Sequence, residues 1–206
     1  MTLADQTIYL ASKSPRRREL LQQVGIAFEV LELKEEAGTH GAVSEIPYDD
    51  EVPDVYVARI AREKADSGWA AVLWRHLPKR PVLAADTTVT IDGKILCKPA
   101  DHAEAMAMLR LLSGRTHEVL TAVVVRFEDS INEIVHRSEV RFAELSETTM
   151  QAYCDSSEPY DKAGSYGIQG HAAKFIEHIS GSHSGIMGLP LFETTRLLQQ
   201  AGIKIL

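Results

Sequence analysis

Residues 8–25, Ile-Tyr-Leu-Ala-Ser-Lys-Ser-Pro-Arg-Arg-Arg-Glu-Leu-Leu-Gln-Gln-Val-Gly, read as a strand, a turn and a helix in immediate succession. The apolar run at 8–11 is a short buried strand. Ser14 suits a helix N-cap and Pro15 the first helical position, where a missing N–H costs nothing. Leu20, Leu21 and Val24 give one apolar face, and Gly25 fits a C-terminal cap. The anomaly is Arg16-Arg17-Arg18 in the first turn. A helix N-terminus carries roughly half a positive charge, so each arginine there costs a few tenths to about 1 kcal/mol where an acid would stabilise. A converging set of backbone N–H groups and guanidinium forks is what a phosphate chain requires. A solvated basic face is the other reading of the same residues, and a nucleic-acid contact is a third.

The charge balance weighs on that choice. The 206 residues carry 22 Lys+Arg against 29 Asp+Glu, a net charge of −7. Duplex binders show a wide basic footprint, so a local cationic pocket in an acidic body suits a small polyanion better than a polymer. With 45% hydrophobic residues the chain can bury a sizeable core, and we expect one domain over 1–206. Cys97 and Cys154 lack CxxC or metal-type spacing, which fits a reducing compartment, although a single disulfide stays open. No basic n-region followed by an apolar stretch opens the chain, and no run reaches the length of a membrane span. The expectation is a cytoplasmic protein with no membrane or nucleic-acid partner.

Working outward, short apolar strands alternate with amphipathic helices, the pattern of an α/β or α+β domain rather than a bundle or a sandwich. Phe28–Leu33 reads as a second strand, followed by an acidic, Gly/Ser/Pro-containing stretch to Pro53 that suits a mobile segment. An alanine-rich helix follows from Asp54, with Gly68 as its weak interior point. Val82–Ala85 form an apolar strand that ends at Asp86, and Asp92-Gly93 marks a hairpin turn. Asp101 caps a helix that stops at Ser113-Gly114. Strands at 117–127 and 134–145 pair across Glu128–Asn132, Ser146 caps a short helix, a Gly-rich segment spans 163–188, and Pro190 starts the last helix.

Several residues could carry chemistry. A carboxylate at the end of an apolar strand, Asp86, needs a cation, a metal or positioned water, or else the backbone N–H groups of a capped turn. Lys64 and Lys98 read as solvated charges when taken alone. Together with the arginines they could cradle a triphosphate. Glu35 and Glu36 follow the second strand; paired with Asp86, one of them could hold a hard divalent cation, and without it they read as a solvated acidic turn. Gln169 lies among Gly164, Gly167 and Gly170 and offers both a donor and an acceptor, as base recognition needs, though a loop glutamine is also an ordinary surface residue. There is no HExxH, GxSxG, GxxxxGK[ST] or GxGxxG, and no nucleophile stands out. That favours attack by water on phosphorus over a covalent intermediate.

The stretches LASKSPRRRELL (10–21), AREKA (61–65), AADTTV (84–89), LSGRTHEV (112–119), EPYDKAGSYGIQG (158–170) and GLPL (188–191) closely resemble, in order, the motifs of the Maf family of nucleoside triphosphate pyrophosphatases. The resemblance implies an inosine-triphosphatase-like α/β fold, an elongated mixed sheet flanked by helices with a cleft between two lobes. It also implies cleavage of a nucleoside triphosphate to monophosphate and pyrophosphate with a divalent cation (Mg²⁺, Mn²⁺ or Co²⁺). By motif match, Asp86 corresponds to the proton acceptor and a metal ligand, Glu36 to the acidic metal partner, and Ser12, Arg17, Lys64 and Lys98 to substrate-cleft positions. Arg16, Thr87 and Gln169 resemble the set marking the dTTP/UTP-hydrolysing group; Arg18 falls outside the functional positions. Alternatives implied alongside are the same chemistry on 7-methyl-GTP or another modified nucleotide, or a non-catalytic nucleotide-binding regulator of cell division. A homodimer is compatible with the resemblance. Cys97 before Lys98-Pro99, His171-Ala172 and the longer 37–53 segment depart from the family pattern and bear on the pocket rim.

Overall fold

The computed structural model describes residues 6–33 and 43–205. The opening stretch forms strand β1 (Ile8–Leu10) and helix α1 (Pro15–Gln23). Gly25, at φ +68°, donates its N–H to the Gln22 carbonyl, and Ile26 donates to Leu21, so the glycine closes the helix as a Schellman motif. The N-terminal cap differs from the sequence reading. Ser14 occupies the cap position, but its side chain caps no N–H; its own N–H donates to Ser12 Oγ at 3.2 Å.

Strand β2 covers only Phe28–Val30, after which Leu31 makes one last backbone hydrogen bond to the Leu10 carbonyl at 2.9 Å and is buried in the core. Helix α2 (Pro53–Trp74) starts one residue earlier than the sequence suggests. Strands β3 (Val82–Ile91) and β4 (Lys94–Leu96) form the expected hairpin, with both Asp92 and Gly93 at positive φ. Helix α3 (His102–Leu112) is capped by Asp101, whose side chain accepts from Glu104 N–H. Strands β5 (Thr116–Phe127) and β6 (Ser130–Phe142) pair along their whole length across a two-residue turn, tighter than the sequence suggests. Then come α4 (Glu147–Cys154), three short 3₁₀ turns, β7 (Ile176–Ser180), α5 (His183–Ile186) and α6 (Leu191–Gln200). Strand β7 lies within the Gly-rich segment, where the sequence predicts no strand. Pro190 is the N-cap of α6 rather than its first residue.

One seven-stranded mixed sheet has the order β2-β1-β3-β5-β6-β7, with β4 also on β3. Strand β1 runs parallel to β2 and β3, and the remaining pairs are antiparallel. A mixed sheet flanked by helices is the architecture that the resemblance to the Maf family implies.

The course of β3 positions the site. One edge pairs with β5 from Val82 to Thr90. The opposite edge pairs with β1 at Val82 and Leu83, then with β4 from Val89 onward. Between those partners, among the described residues, no strand covers this edge. Asp86 therefore lies in the middle of a ten-residue strand, not at its end. The apolar run did not stop the strand there because Thr87, Thr88 and Val89 are β-branched and pair with β5 as well as any hydrophobe. What ends is the neighbouring strand, and the gap it leaves is the cleft.

Side-chain alternation splits the core around β3. Val82 and Ala84 join α2 residues such as Val57, Ile60, Ala61 and Ala65 on one face. Leu83 and Ala85 join Leu20, Leu21, Leu197 and Leu198 on the other. A third cluster, including Leu109, Phe142, Tyr166 and Phe175, gathers on the far half of the strand from Val89 onward.

Candidate active site

The same alternation sends Asp86 toward α2 and Thr87 toward α1. Asp86 is 8% exposed, and its Oδ1 accepts from Lys64 Nζ at 2.7 Å. Lys64 lies three helical turns into α2, on the face that packs over β3. Its ammonium also donates to Glu45 Oε1 at 2.5 Å, while Glu45 Oε2 accepts from Lys98 Nζ at 3.0 Å. Four alternating charges thus cross the cleft in the order Asp86, Lys64, Glu45, Lys98.

Burial raises the Asp86 carboxyl above its ordinary range, against the opposing pull of Lys64 and Arg17. Glu45 is also penalised by burial, but its two lysine partners outweigh that and draw it down to about 2. One carboxylate is therefore biased toward accepting a proton and the other toward staying ionised.

On the other wall, the three arginines separate. Arg17 is buried and donates Nε to the Gly188 carbonyl at 2.8 Å, Nη1 to Ser12 Oγ at 3.1 Å and Nη2 to Thr87 Oγ1 at 3.2 Å. Thr87 Oγ1 is 3.0 Å from Thr121 Oγ1, which donates to the Gly185 carbonyl at 2.8 Å. Burial lowers the Arg17 pKa, with the charge of Asp86 acting in the opposite direction. The electrostatic misfit of Arg17 at a helix start is thus offset by oxygen acceptors from three separate segments. Arg16 faces the cleft. Arg18 lies outside the cleft lining, and its Nη2 donates to the Lys13 carbonyl.

These walls enclose a cleft of about 1020 Å³. Ser12, Arg16, Arg17, Lys64, Asp86, Thr87, Lys98 and Gln169 all line it, so the structure brings together every described residue that the family motifs mark as catalytic, substrate-binding or specificity-determining. Glu36 lies outside the described residues, as does Glu35. The acid that pairs with both Lys64 and Lys98 is Glu45, which lies inside the stretch that reads as mobile from sequence and which no sequence signal singles out. Residues 43–52 instead lie along the start of α2. Tyr56 OH donates to the Glu45 carbonyl at 2.8 Å, and Glu51 receives Arg59 Nε and Nη2, both at 2.7 Å. The Arg59 guanidinium stacks 4.0 Å from the Tyr48 ring centroid. The available signal was the spacing Glu51 to Arg59, eight residues apart, which could tie the segment to the helix.

Among the described residues, no group of three or more His, Cys, Asp or Glu side chains could hold a metal ion. The carboxylates come as a pair, Asp86 and Glu45, converging on one cation position that the Lys64 ammonium fills. Two hard oxygen ligands fit Mg²⁺ or Mn²⁺ bound together with substrate phosphates, rather than an all-protein cage.

A family model described as Maf-like protein matches residues 7–201. The chain belongs to the Maf family. Maf relatives named dTTP/UTP pyrophosphatase include one from Bordetella avium, 52% identical over 198 residues covering 96% of each chain. A relative of the same name from Nitrosomonas europaea is 48% identical over 205 residues, covering 100% of this chain and 99% of its own. One from Burkholderia pseudomallei is 52% identical over 200 residues, covering 95% and 94%. The Staphylococcus aureus Ham1 protein structure aligns at a TM-score of 0.41 and 13% identity, covering 67% of this chain and 72% of that one. Both cysteines of this Maf chain are free thiols, and no described helix is long and apolar enough to cross a membrane.

Proposed function

We propose that this Maf protein hydrolyses dTTP and UTP to the monophosphate and pyrophosphate, in the cytoplasm. The observation that carries the chemistry is a buried carboxylate, Asp86, raised toward proton-accepting strength and set 2.7 Å from a lysine ammonium inside a nucleotide-sized cleft. The pyrimidine preference draws on the relatives' names and on Arg16, Thr87 and Gln169.

Asp86 takes the proton of the attacking water as the new bond forms at the α-phosphorus. Lys64 and Lys98 exchange Glu45 for phosphate oxygens and neutralise the charge that develops on the leaving pyrophosphate. Arg17, through Thr87 and Gly188, fixes the wall against which the triphosphate lies. Asp86 and Glu45, together with Glu36 as the acid indicated by the family motif, would hold a divalent cation (Mg²⁺, Mn²⁺ or Co²⁺). Such an ion supplies charge neutralisation on the phosphates and acidifies bound water. At the rim, Gln169 and Arg16 address the carbonyl–imide–carbonyl edge of uracil and thymine.

The test is a nucleotide panel assayed for pyrophosphate release, with and without each cation. Turnover concentrated on dTTP and UTP supports the reading; turnover confined to 7-methyl-GTP or another purine nucleotide contradicts the substrate assignment.

A further inference from the structure

Gln169 stands at the third position of a four-residue turn, Gly167-Ile168-Gln169-Gly170, closed by the Gly170 N–H on the Gly167 carbonyl at 3.1 Å. Such a turn on a protein surface is free to rearrange unless something beneath it fixes both ends. Here both ends are held from one short segment. At the first end, the Lys162 stem passes so close under Gly167 that a Cβ there would stand 2.8 Å from Lys162 Cε. At the second, the Glu158 carboxylate fills the space a Cβ on Gly170 would need, 2.1 Å from Oε1.

Glu158 is the centre of this arrangement. Its Oε2 accepts from His171 N–H at 2.8 Å, and its Oε1 accepts from Ala172 N–H at 3.3 Å and from Tyr153 OH at 3.0 Å. Its main-chain carbonyl accepts from Lys162 Nζ at 2.8 Å, which ties the two ends together. A carboxylate that receives two consecutive backbone N–H groups fixes the path of the chain leaving the turn. An uncharged amide cannot do this, because its nitrogen would face a donor.

We propose that Glu158 is a positioning residue for base selection, acting through the Gly167–Gly170 turn that presents Gln169 to the nucleobase. The proposal rests on the reading of Gln169 as a base-contacting residue. Glu158 sets the height and direction of that side chain over the cleft, and Gly170 is required because the carboxylate occupies the place of its side chain.

The experiment compares wild type, Glu158→Gln, Gln169→Ala and the double variant on dTTP and dGTP, with Gly170→Ala as an independent perturbation of the same contact. Loss of the carboxylate is expected to raise KM for dTTP about tenfold with kcat nearly unchanged. The dTTP-over-dGTP preference falls in parallel, and the Gln169→Ala background shows no further fall. Gly170→Ala reproduces the shift, and it decides the matter alone if Glu158→Gln does not yield folded protein. Equal loss of kcat on both nucleotides, or full additivity with Gln169→Ala, overturns the proposal. If Gln169→Ala abolishes the preference while Glu158→Gln and Gly170→Ala leave it intact, the positioning role alone fails. If Gln169→Ala leaves the preference untouched, the reading of Gln169 fails and the proposal falls with it.

Discussion

Lys64 donates its ammonium to Asp86 Oδ1 at 2.7 Å, joining the middle of a long helix to the middle of a strand where the edge of β3 is left open between β1 and β4. Both side chains are largely shielded, at 17% and 11% exposure, so each charge depends on the other.

Removing one partner therefore costs more than the pair contributes. Lys64→Met should lower unfolding free energy by about 3 kcal/mol, because Asp86 is left buried without a nearby ammonium. Urea unfolding at neutral pH measures it. The double variant Lys64→Met/Asp86→Leu should recover much of the loss, and equal destabilisation of single and double variants would contradict the pairing argument.

Thr87 joins Arg17 to Thr121 through hydroxyl contacts of 3.2 and 3.0 Å. Thr87→Val keeps the shape of the strand but leaves a buried guanidinium N–H and a hydroxyl short of a partner. A loss of about 1–3 kcal/mol follows, read as a lower thermal midpoint. An unchanged midpoint would mean that water replaces the hydroxyl.

His117 is buried against Phe142 and Tyr166, with Nε2 2.7 Å from Tyr166 OH, and burial pushes its pKa down to about 4 from 6.5. The folded value lies below the unfolded one, so the neutral ring's contribution is complete above pH 6.5 and is lost as pH falls from there toward 4. Up to about 3 kcal/mol of stability should disappear across that window. Denaturant midpoints measured from pH 7.5 to 4 report it, and His117→Gln should flatten the slope.

Gly68 gives a prediction whose sign separates two principles. Helix propensity alone favours Gly68→Ala by about 1 kcal/mol. In the fold, a Cβ at Gly68 would stand 2.7 Å from Val82 Cγ1 and 3.2 Å from Ala11 Cβ, both on buried residues of the sheet region. Overpacking a core typically costs about 1–3 kcal/mol, so the substitution should destabilise. A raised melting temperature would show that α2 can shift away from the sheet.

Gly68 also marks where the sequence stops being legible. Its helix could be read from the 3.6-residue pattern, but the close approach to β1 and β3 that makes glycine necessary is a tertiary fact. Asp86 shows the same limit. Its chemistry follows from a carboxylate after an apolar run, yet its opening onto the cleft depends on where a different strand, β1, ends. Local signals did carry the Asp92-Gly93 turn, the Asp101 and Ser146 caps and the Gly25 helix stop, because each depends on residues only a few positions away. Glu45 and Glu158 were missed for the opposite reason. Their partners Lys98 and His171 lie 53 and 13 residues away, beyond any local pattern.

The proposed hydrolysis of pyrimidine nucleoside triphosphates depends on Asp86 as the proton acceptor. Its most direct test is steady-state pyrophosphate release from dTTP and UTP by wild type and by Asp86→Asn, with folding of the variant checked by its thermal midpoint. A folded Asp86→Asn protein should lose roughly 100- to 10,000-fold in kcat while still binding dTTP. A folded Asp86→Asn protein that releases pyrophosphate at the wild-type rate would contradict the account.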